Sequence, residues 1–303
     1  MAEQQMAKNS ESTQVRVSNP DKVFWPEEGY TKLDLVNFYR DVFPALRPYV
    51  NDRILTLERC PNGMLGNCFY QKEIPAGMPK NTPTKTISSE SAGKEIHYVV
   101  GGALATHLAL ANLACIPVHV CGSRAKTFPR PDWVCFDLDP ESGKFADAAN
   151  ACLLLKEVLD ALELASFPKT SGSRGMHIFI PIRVGPTADE VLDFARDLAR
   201  RLAASYPKEL TVENAVAARG GRVYLDVFRN GSVQTVASPY SVRRRPHAPI
   251  STPLAWSEVK PSLDPARFNL GNFHARLNKT DPWAEFFQSR QTLRNALSRL
   301  KAV

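Results

Sequence analysis

The sequence predicts a mixed α/β protein because two kinds of hydrophobic pattern alternate along it. Amphipathic helical patterns cover residues 31–46, 145–164 and 187–206, whereas the apolar positions of 133–140 and 176–182 have the two-residue period of strands. The composition, with 44% hydrophobic and 23% charged residues, is typical of a globular protein. A chain of 303 residues is also long enough to bury a full core.

Charge and the polar N-terminus indicate the broad class of the protein. The formal net charge is +7 at pH 7, which favours a polyanionic partner such as nucleic acid or a nucleotide, although many basic proteins have no such partner. No apolar run approaches the roughly 20 residues that span a bilayer, and no signal-peptide pattern is present, so we expect a cytoplasmic protein. Residues 1–14 are polar and aperiodic, which predicts a disordered tail before a single domain over residues 15–303.

The cysteines form no C-x-x-C pair and mostly lie in apolar segments, which predicts buried, reduced thiols. Cys115, His119 and Cys121 are close enough in sequence to suggest zinc ligands. A fourth ligand at a suitable spacing is missing, so the pattern argues against zinc.

The N-terminal half contains one clear helix start, where Thr31 and Asp34 form an imperfect capping box. Lys22 and Lys32 flank this start. Exposed lysines are usually only solvated, but a helix N-terminus between two lysines also suits a phosphate group. Further elements are predicted as strands at 53–59, 68–72, 95–100 and 116–120 and a buried helix at 104–114.

For two features of these strands, the sequence fits either a position in the hydrophobic core or a role in binding. Phe69 and Tyr70 are adjacent aromatics, which are more often core, whereas on a surface beside basic residues they would stack on a base. His119 lies on the short strand 116–120, where a single histidine is normally a satisfied core residue.

The stretch from Trp133 to Pro140 is the centre of the sequence argument. It reads as a buried strand on which Asp137 and Asp139 project to the same side, about 7 Å apart. Two neighbouring carboxylates repel each other unless a cation lies between them, and hard oxygen ligands suit Mg²⁺ or Mn²⁺ better than Zn²⁺. The alternative is an exposed strand end with two solvated acids.

The turn before the strand at 176–182 offers several groups that bind anions. Ser171, Ser173, Arg174 and two glycines can direct hydroxyl, guanidinium and backbone N–H groups at one anion, and His177 lies on the polar face of the strand that follows. Such a turn suits a triphosphate. The alternative is a hairpin whose glycines serve geometry alone.

The C-terminal third adds an acid, a basic loop and a closing helix. Asp226 lies among apolar residues of a predicted strand, which is unfavourable unless it is paired or binds a metal. A loop between prolines contains Arg243, Arg244 and Arg245. Such a loop is usually only solvated. Residues 253–280 are irregular, and 283–300 predict an amphipathic helix with a basic face.

The ordered set of motifs resembles a known family, the archaeo-eukaryotic primase superfamily. More narrowly, it is similar to the polymerase domain of bacterial ATP-dependent DNA ligase D and its stand-alone relatives. The D-x-D motif matches Asp137 and Asp139, the S-G-S-x-G-x-H motif matches Ser171 to His177, and the single acid of the third motif matches Asp226. Each motif is weak alone, but their order is specific, and the resemblance covers about residues 15–290.

The resemblance implies template-directed transfer of NTPs or dNTPs at DNA gaps, breaks and overhangs in non-homologous end joining, with ribonucleotides and Mn²⁺ preferred. Asp137, Asp139 and Asp226 would hold two Mn²⁺ or Mg²⁺ ions and be catalytic. The nucleotide-binding residues would be His119, Ser171, Ser173, Arg174, His177, Arg243, Arg244 and Arg245. The DNA-binding residues would be Asn19, Lys22, Lys32, Arg59, Phe69 and Tyr70, the first three at the 5′-phosphate beyond a gap and the two aromatics on the template.

The family also implies a fold and partners. The fold would be two lobes, one with an RRM-like antiparallel sheet, with the active site in the cleft between them. The partners would be gapped or broken DNA, with Ku, a DNA ligase and a second copy of the chain as further candidates, in the bacterial nucleoid. The sequence contains no K-x-D-G ligase motif, so we expect a stand-alone enzyme or a piece of a longer chain.

Three other functions are alternatives to this hypothesis. A stand-alone primase-polymerase that fills short gaps in excision repair would share the chemistry and differ in partners. A non-catalytic module that bridges DNA ends would tolerate loss of one of the three acids, and all three are present. A metal-dependent phosphodiesterase would need clustered acids but not the triphosphate turn.

Overall fold

The computed structural model describes residues 15–89 and 93–302, so the predicted tail over residues 1–14 lies outside the described residues. The strands are β1 (Val23–Trp25), β2 (Tyr30–Thr31), β3 (Arg53–Arg59), β4 (Phe69–Gln71), β5 (Thr84–Ser89), β6 (Lys94–Val99), β7 (Cys115–Arg124), β8 (Trp133–Pro140), β9 (Phe167–Thr170), β10 (Met176–Pro181), β11 (Leu210–Thr211), β12 (Val223–Asp226) and β13 (Thr235–Ala237). The helices are α1 (Lys32–Val50), α2 (Leu104–Asn112), α3 (Phe145–Ala161), α4 (Ala188–Ser205), α5 (Val216–Arg219), α6 (His274–Leu277) and α7 (Arg294–Ala302).

Two sheets form the framework and confirm the mixed α/β prediction. One has five strands in the order β11-β12-β8-β10-β9, antiparallel except for the pair β11–β12, and the other has four antiparallel strands in the order β13-β7-β3-β4. Strand β8 lies at the centre of the five-stranded sheet. Its residues Val134, Phe136 and Leu138 are fully buried and point to the face where α3 and α4 pack. The acidic positions of β8 therefore point to the opposite face.

Helix α1 forms as the sequence predicts. Both hydrogen bonds of the Thr31–Asp34 capping box are present. Its apolar stripe is buried, and the Tyr39 hydroxyl donates to the carbonyl of Ile116 at the start of β7 over 2.5 Å. The helix thereby fixes one face of the four-stranded sheet. No helix within the described ranges is long and apolar enough to cross a membrane.

A buried ion network joins the two sheets. The guanidinium of Arg53, on β3, lies 2.5 Å from Asp132, which directly precedes β8, and is 3.4 Å from the ring centroid of Trp133. Arg124 and Arg290 reach the second oxygen of Asp132 over 2.8 Å and 3.2 Å. Burial opposes ionisation of Asp132, but Arg53 and Arg124 outweigh it and lower the pKa of the carboxyl. The carboxylate is thus a fixed charge between the sheets.

Two predictions about local structure are wrong. The closing helix is confined to α7, because Trp283 and Phe286 are drawn into the core in a run of turns, with the Trp283 indole donating to the carbonyl of Pro168 over 3.0 Å. Cys60 and Cys68 form a disulfide rather than two thiols. The pairing of Arg59 with Phe69 explains it, since each cysteine is the next residue beyond this cross-strand pair. The other cysteines, Cys115, Cys121, Cys135 and Cys152, are free and buried.

Replacing Asp132 by Asn is expected to destabilise the protein by about 3 kcal/mol, because the change leaves the buried charge of Arg53 without its partner. Urea unfolding measures the loss. Asp160→Asn, which removes one partner of the exposed Lys156–Asp160 pair, is the matched control and should cost less than about 1 kcal/mol. Equal losses in the two variants would contradict a stabilising role for the buried network.

Candidate active site

The register of the five-stranded sheet puts four polar residues in one row. Asp226 of β12 lies opposite Asp137 of β8, Asp137 lies opposite His177 of β10, and His177 lies opposite Lys169 of β9. Directly opposed residues project to the same face of a sheet. The row therefore runs from two acids through a histidine to a lysine on the face away from α3 and α4.

Asp137 and His177 of this row line a cleft of about 220 Å³ between the two sheets, whereas Asp226 and the buried Lys169 lie outside its lining. The five-stranded sheet and its turns contribute the D-x-D acids and the 171–177 turn, and the four-stranded sheet contributes β4, β7 and β13. The predicted site residues that line the cleft are Tyr70, His119, Asp137, Asp139, Ser171, Ser173, Arg174, His177, Arg243 and Arg245. The structure thus brings these predicted residues together from five separate parts of the chain.

Each acid has a basic partner. His177 Nε2 lies 3.2 Å from Asp137 Oδ1. The Arg229 guanidinium lies 3.0 Å from Asp226 and 3.7 Å from Asp137, and Arg219 lies 3.5 Å from Asp139.

Sequence reasoning missed both arginines that pair with the acids. Arg229 follows Asp226 by three residues, and the 3₁₀ turn Phe228–Asn230 brings it back over the acids. Arg219 comes from α5, a four-residue helix, whose position depends on tertiary packing.

The acids differ in their tendency to ionise. Burial opposes ionisation of Asp137, but His177, Arg229 and Arg243 together lower its pKa to about 2. Burial raises the pKa of Asp226 against the effect of Arg229, and burial together with Asp137 raises the pKa of Asp139. As pH falls, Asp226 and Asp139 therefore take up protons before Asp137.

The acids fit hard divalent cations. Carboxylate oxygens are the ligands that Mg²⁺ and Mn²⁺ prefer. The guanidinium of Arg229 already reaches both Asp137 and Asp226, so one positive charge can bind to both carboxylates.

The acids do not by themselves form a tight ligand set. Among described residues, the only three possible ligand atoms within 4.8 Å of one another belong to Glu58, Cys60 and Cys68, of which the cysteines are joined as a disulfide. Joint metal binding by the three aspartates therefore requires their side chains and arginine partners to adjust.

The turn that follows β9 is held in a defined shape. Ser171 Oγ accepts hydrogen bonds from the N–H groups of Ser173 and Gly175, each 3.2 Å long. Arg243 donates to the Ser171 carbonyl over 2.8 Å. Gly172 has a φ of +71°, and a Cβ at this position would lie 2.5 Å from Arg243 Cγ. The glycine is therefore needed both for the backbone conformation and for the approach of Arg243.

The three consecutive arginines have different surroundings. Arg243 supports the turn, and Arg245 lines the cleft without a carboxylate partner among the described residues. Arg244 instead pairs with Glu58 over 2.8 Å and lies outside the cleft lining. The structure thus brings only Arg243 and Arg245 of this run to the cleft.

The adjacent aromatics Phe69 and Tyr70 are on the surface, so the prediction that favoured a core position for them is wrong. Phe69 is 47% exposed and Tyr70 is 67% exposed. They also point to opposite faces of β4. Tyr70 lies opposite Glu58, lines the cleft and has its ring 6.1 Å from that of His119, whereas the Phe69 ring lies 5.5 Å from the Arg59 guanidinium.

The predicted 5′-phosphate residues meet at the start of α1, outside the cleft lining. Asn19 accepts from the N–H of Lys22, and the Lys22 amine donates to Asn62 over 2.8 Å. Lys32 is buried, and its amine donates to Ser18 and to Asn112. The first N–H groups of α1 are also bonded to backbone carbonyls, so of the two lysines Lys22 is the more available to a ligand.

Comparison with known proteins identifies the family. A family model described as "LigD, primase-polymerase domain" matches residues 31–283. The chain is 28% identical to the multifunctional non-homologous end joining protein LigD of Mycolicibacterium smegmatis, over 93% of this chain and 38% of that protein. It is 30% identical to the bifunctional non-homologous end joining protein LigD of Bacillus subtilis, over 89% of this chain and 44% of that protein.

A solved structure agrees in fold. The polymerase domain of Mycobacterium tuberculosis ligase D in complex with DNA superimposes with a TM-score of 0.83 at 25% identity, over 91% of this chain and 99% of that domain. The fold and the acid-lined cleft between two sheets define a protein of the primase-polymerase class. The chain belongs to the LigD primase-polymerase domain family, which implies a nucleotidyltransferase and confirms the resemblance. The chain spans less than half the length of these curated relatives.

Replacing Gly172 by Ala should destabilise the protein more than replacing Gly29 by Ala. Both glycines have a similar positive φ, +71° and +72°, so both changes carry a backbone cost of about 1 kcal/mol. Only at Gly172 would the new Cβ meet protein atoms, whereas no atom lies within 4 Å at Gly29. Chemical denaturation compares the two, and equal losses would contradict the close packing of Arg243 on the turn.

Proposed function

We propose that the chain is a template-directed polymerase that adds nucleotides to primer ends at gaps and breaks in DNA. The observation that carries the proposal is that Asp137, Asp139 and His177 share one cleft with the Ser171–Gly175 turn, with Asp226 directly opposite Asp137 in the sheet, in a LigD primase-polymerase domain. Acids for metal ions and donors for phosphate groups are the two requirements of nucleotidyl transfer. A phosphodiesterase would need only the first.

Asp137, Asp139 and Asp226 are the proposed metal ligands. Divalent ions bound there would lower the pKa of the primer 3′-hydroxyl and neutralise the triphosphate and the leaving pyrophosphate. Asp137 stays ionised because His177 and two arginines lower its pKa to about 2. His177, whose own pKa is lowered by burial to about 4, is neutral at pH 7 and holds Asp137 in orientation through Nε2.

The incoming nucleotide is proposed to lie along the 171–177 turn. Ser173 and Arg174 line the cleft and offer a hydroxyl and a guanidinium, and Arg243 and Arg245 add positive charge. The Nδ1 atoms of His119 and His177 are buried without a hydrogen-bond partner among the described residues. A bound nucleotide would give these ring nitrogens polar partners.

The DNA is proposed to contact the rim of the cleft on the side of β4. Tyr70 lines the cleft and Phe69 is exposed on the opposite face of β4, so each offers a ring on which a template base can stack, and Arg59 lies beside Phe69. Asn19, Lys22 and Lys32 at the start of α1 are the proposed site for a downstream 5′-phosphate. Phosphate contacts of this kind give affinity without sequence preference.

The biological setting is proposed from the relatives. Their printed names describe non-homologous end joining proteins, and one solved relative was determined in complex with DNA. We extend this setting to the present chain, with Ku and a DNA ligase as partners and a preference for ribonucleotides and Mn²⁺. Gap filling in excision repair shares the same chemistry and is distinguished by its partners.

Primer extension on a gapped duplex with a downstream 5′-phosphate tests the proposal. Each NTP and dNTP is supplied with Mg²⁺ or Mn²⁺. We expect template-matched extension that falls at least about 100-fold in Asp137→Asn, because the change removes the charge that holds the metal ions. Asp193→Asn, on the exposed face of α4, is the control and should extend like the parent.

The nucleotide profile of the same assay measures the sugar and metal preferences. Absence of extension with every nucleotide and metal, while DNA ends are still bound tightly, would overturn the polymerase proposal. That result would favour a module that bridges DNA ends.

A further inference from the structure

Lys169 is an unusual member of the row, because it lies outside the cleft lining. Its side chain is fully buried on β9, opposite His177. The amine donates to the hydroxyl of Ser251 and to the carbonyl of Thr170, and it lies 5.8 Å from the ring centroid of Phe179. All of these neighbours are electrically neutral.

The protein supplies no counter-charge in contact with this amine. No carboxylate within residues 15–89 and 93–302 forms an ion pair with Lys169. A buried charge without a partner is costly, so such groups either bind an anion or lose their charge. Burial and the guanidinium of Arg243 lower the pKa of Lys169 to about 7, against the opposing effect of the Asp137 carboxylate, which is not in contact with the amine. At neutral pH the amine is therefore divided between its charged and uncharged forms.

The turn that follows β9 is a candidate anion site that adjoins Lys169. Lys169 is two residues before Ser171, whose hydroxyl and carbonyl organise that turn. Its hydrogen-bond acceptors, Ser251 and the Thr170 carbonyl, lie at the base of the turn, where Ser251 N also packs beside Gly172. An anion on the turn would thus lie above a buried amine that lacks a negative partner.

We propose that Lys169 takes up a proton from solvent when a triphosphate binds at the turn, and that the resulting ammonium stabilises the bound triphosphate electrostatically. The inference rests on the proposed function, because it assumes that a triphosphate occupies the turn. The balance is simple: the neutral amine gains one proton from the buffer, and no other bond forms or breaks. Nucleotide affinity then depends on pH through a residue that makes no direct contact with the ligand.

The other titratable groups around Lys169 do not explain such an uptake. Burial lowers the pKa of His177, on β10, to about 4 and that of His119, on β7, to about 3, so both are neutral near pH 7. On β8, burial holds the Cys135 thiol protonated, and Asp137 stays ionised. The guanidinium of Arg243 keeps its charge. Of these groups, only Lys169 titrates near neutral pH.

The sign of the effect follows from linkage. Below about pH 6 the amine is already charged, so binding takes up few protons. Near pH 8 most of the free protein has an uncharged amine, and binding should take up several tenths of a proton per nucleotide. The affinity for the triphosphate should accordingly fall as pH rises from about 7 to about 9.

Calorimetry of ATP binding tests this proposal without any chemical step. ATP and Mg²⁺ are titrated into the full chain at pH 8 in two buffers of different ionisation enthalpy, without primer or template. The difference in heat gives the protons taken up. Lys169→Met should abolish the uptake and lower affinity roughly tenfold near pH 6.5, where the parent amine is charged, and much less near pH 9.

Lys156→Met, which removes an exposed lysine of α3, is the matched control and should leave the uptake unchanged. Equal uptake in Lys169→Met and the parent would overturn the proposal. If Lys169→Met fails to fold, measurements on the unsubstituted protein still test the proposal. An ATP affinity that does not change between pH 7 and 9, or no proton uptake at pH 8, would overturn it. ATP binding without proton uptake counts against Lys169 alone, whereas absence of ATP binding counts against the proposed function as well.

Discussion

The register of β8 against its two neighbouring strands is the constraint on which the candidate site depends. It sets Asp226, Asp137, His177 and Lys169 side by side, although they come from four strands spread over residues 137–226. A shift of one residue in any of these pairings would send a polar side chain of the candidate site to the face packed by α3 and α4. The fully buried apolar residues of β8 prevent such a shift, because it would expose them to the cleft. Core packing and chemistry thus depend on the same alignment.

The cleft also requires the two sheets to keep their relative position. The buried Arg53–Asp132 pair fixes them at one end, and the Arg243–Ser171 and Arg244–Glu58 contacts connect the arginine loop to both sheets near the site. Basic groups therefore have two separate tasks in this protein. Some hold the framework by pairing with acids, and others face the cleft without such partners.

The sequence predicted those parts of the structure that follow from local pattern. The alternation at residues 133–140, the capping box at Thr31 and the glycine-rich turn at 171–177 gave correct elements, and the motif order gave the correct family. Contacts set by tertiary packing were missed. Arg229 returns over the acids through a 3₁₀ turn, and the aromatics at 283–287 give up a helical pattern to fill the core. The Cys60–Cys68 disulfide depends on a strand pairing that spacing alone does not reveal.

The central claim is that Asp137 and Asp226 bind divalent metal beside a triphosphate on the 171–175 turn. Anomalous scattering from crystals grown with Mn²⁺ and a non-hydrolysable nucleotide triphosphate tests this claim most directly. The account predicts a manganese peak in contact with both carboxylates, with phosphate density over the turn. Manganese elsewhere, for example at Glu58, or phosphate density away from Ser171 would contradict it.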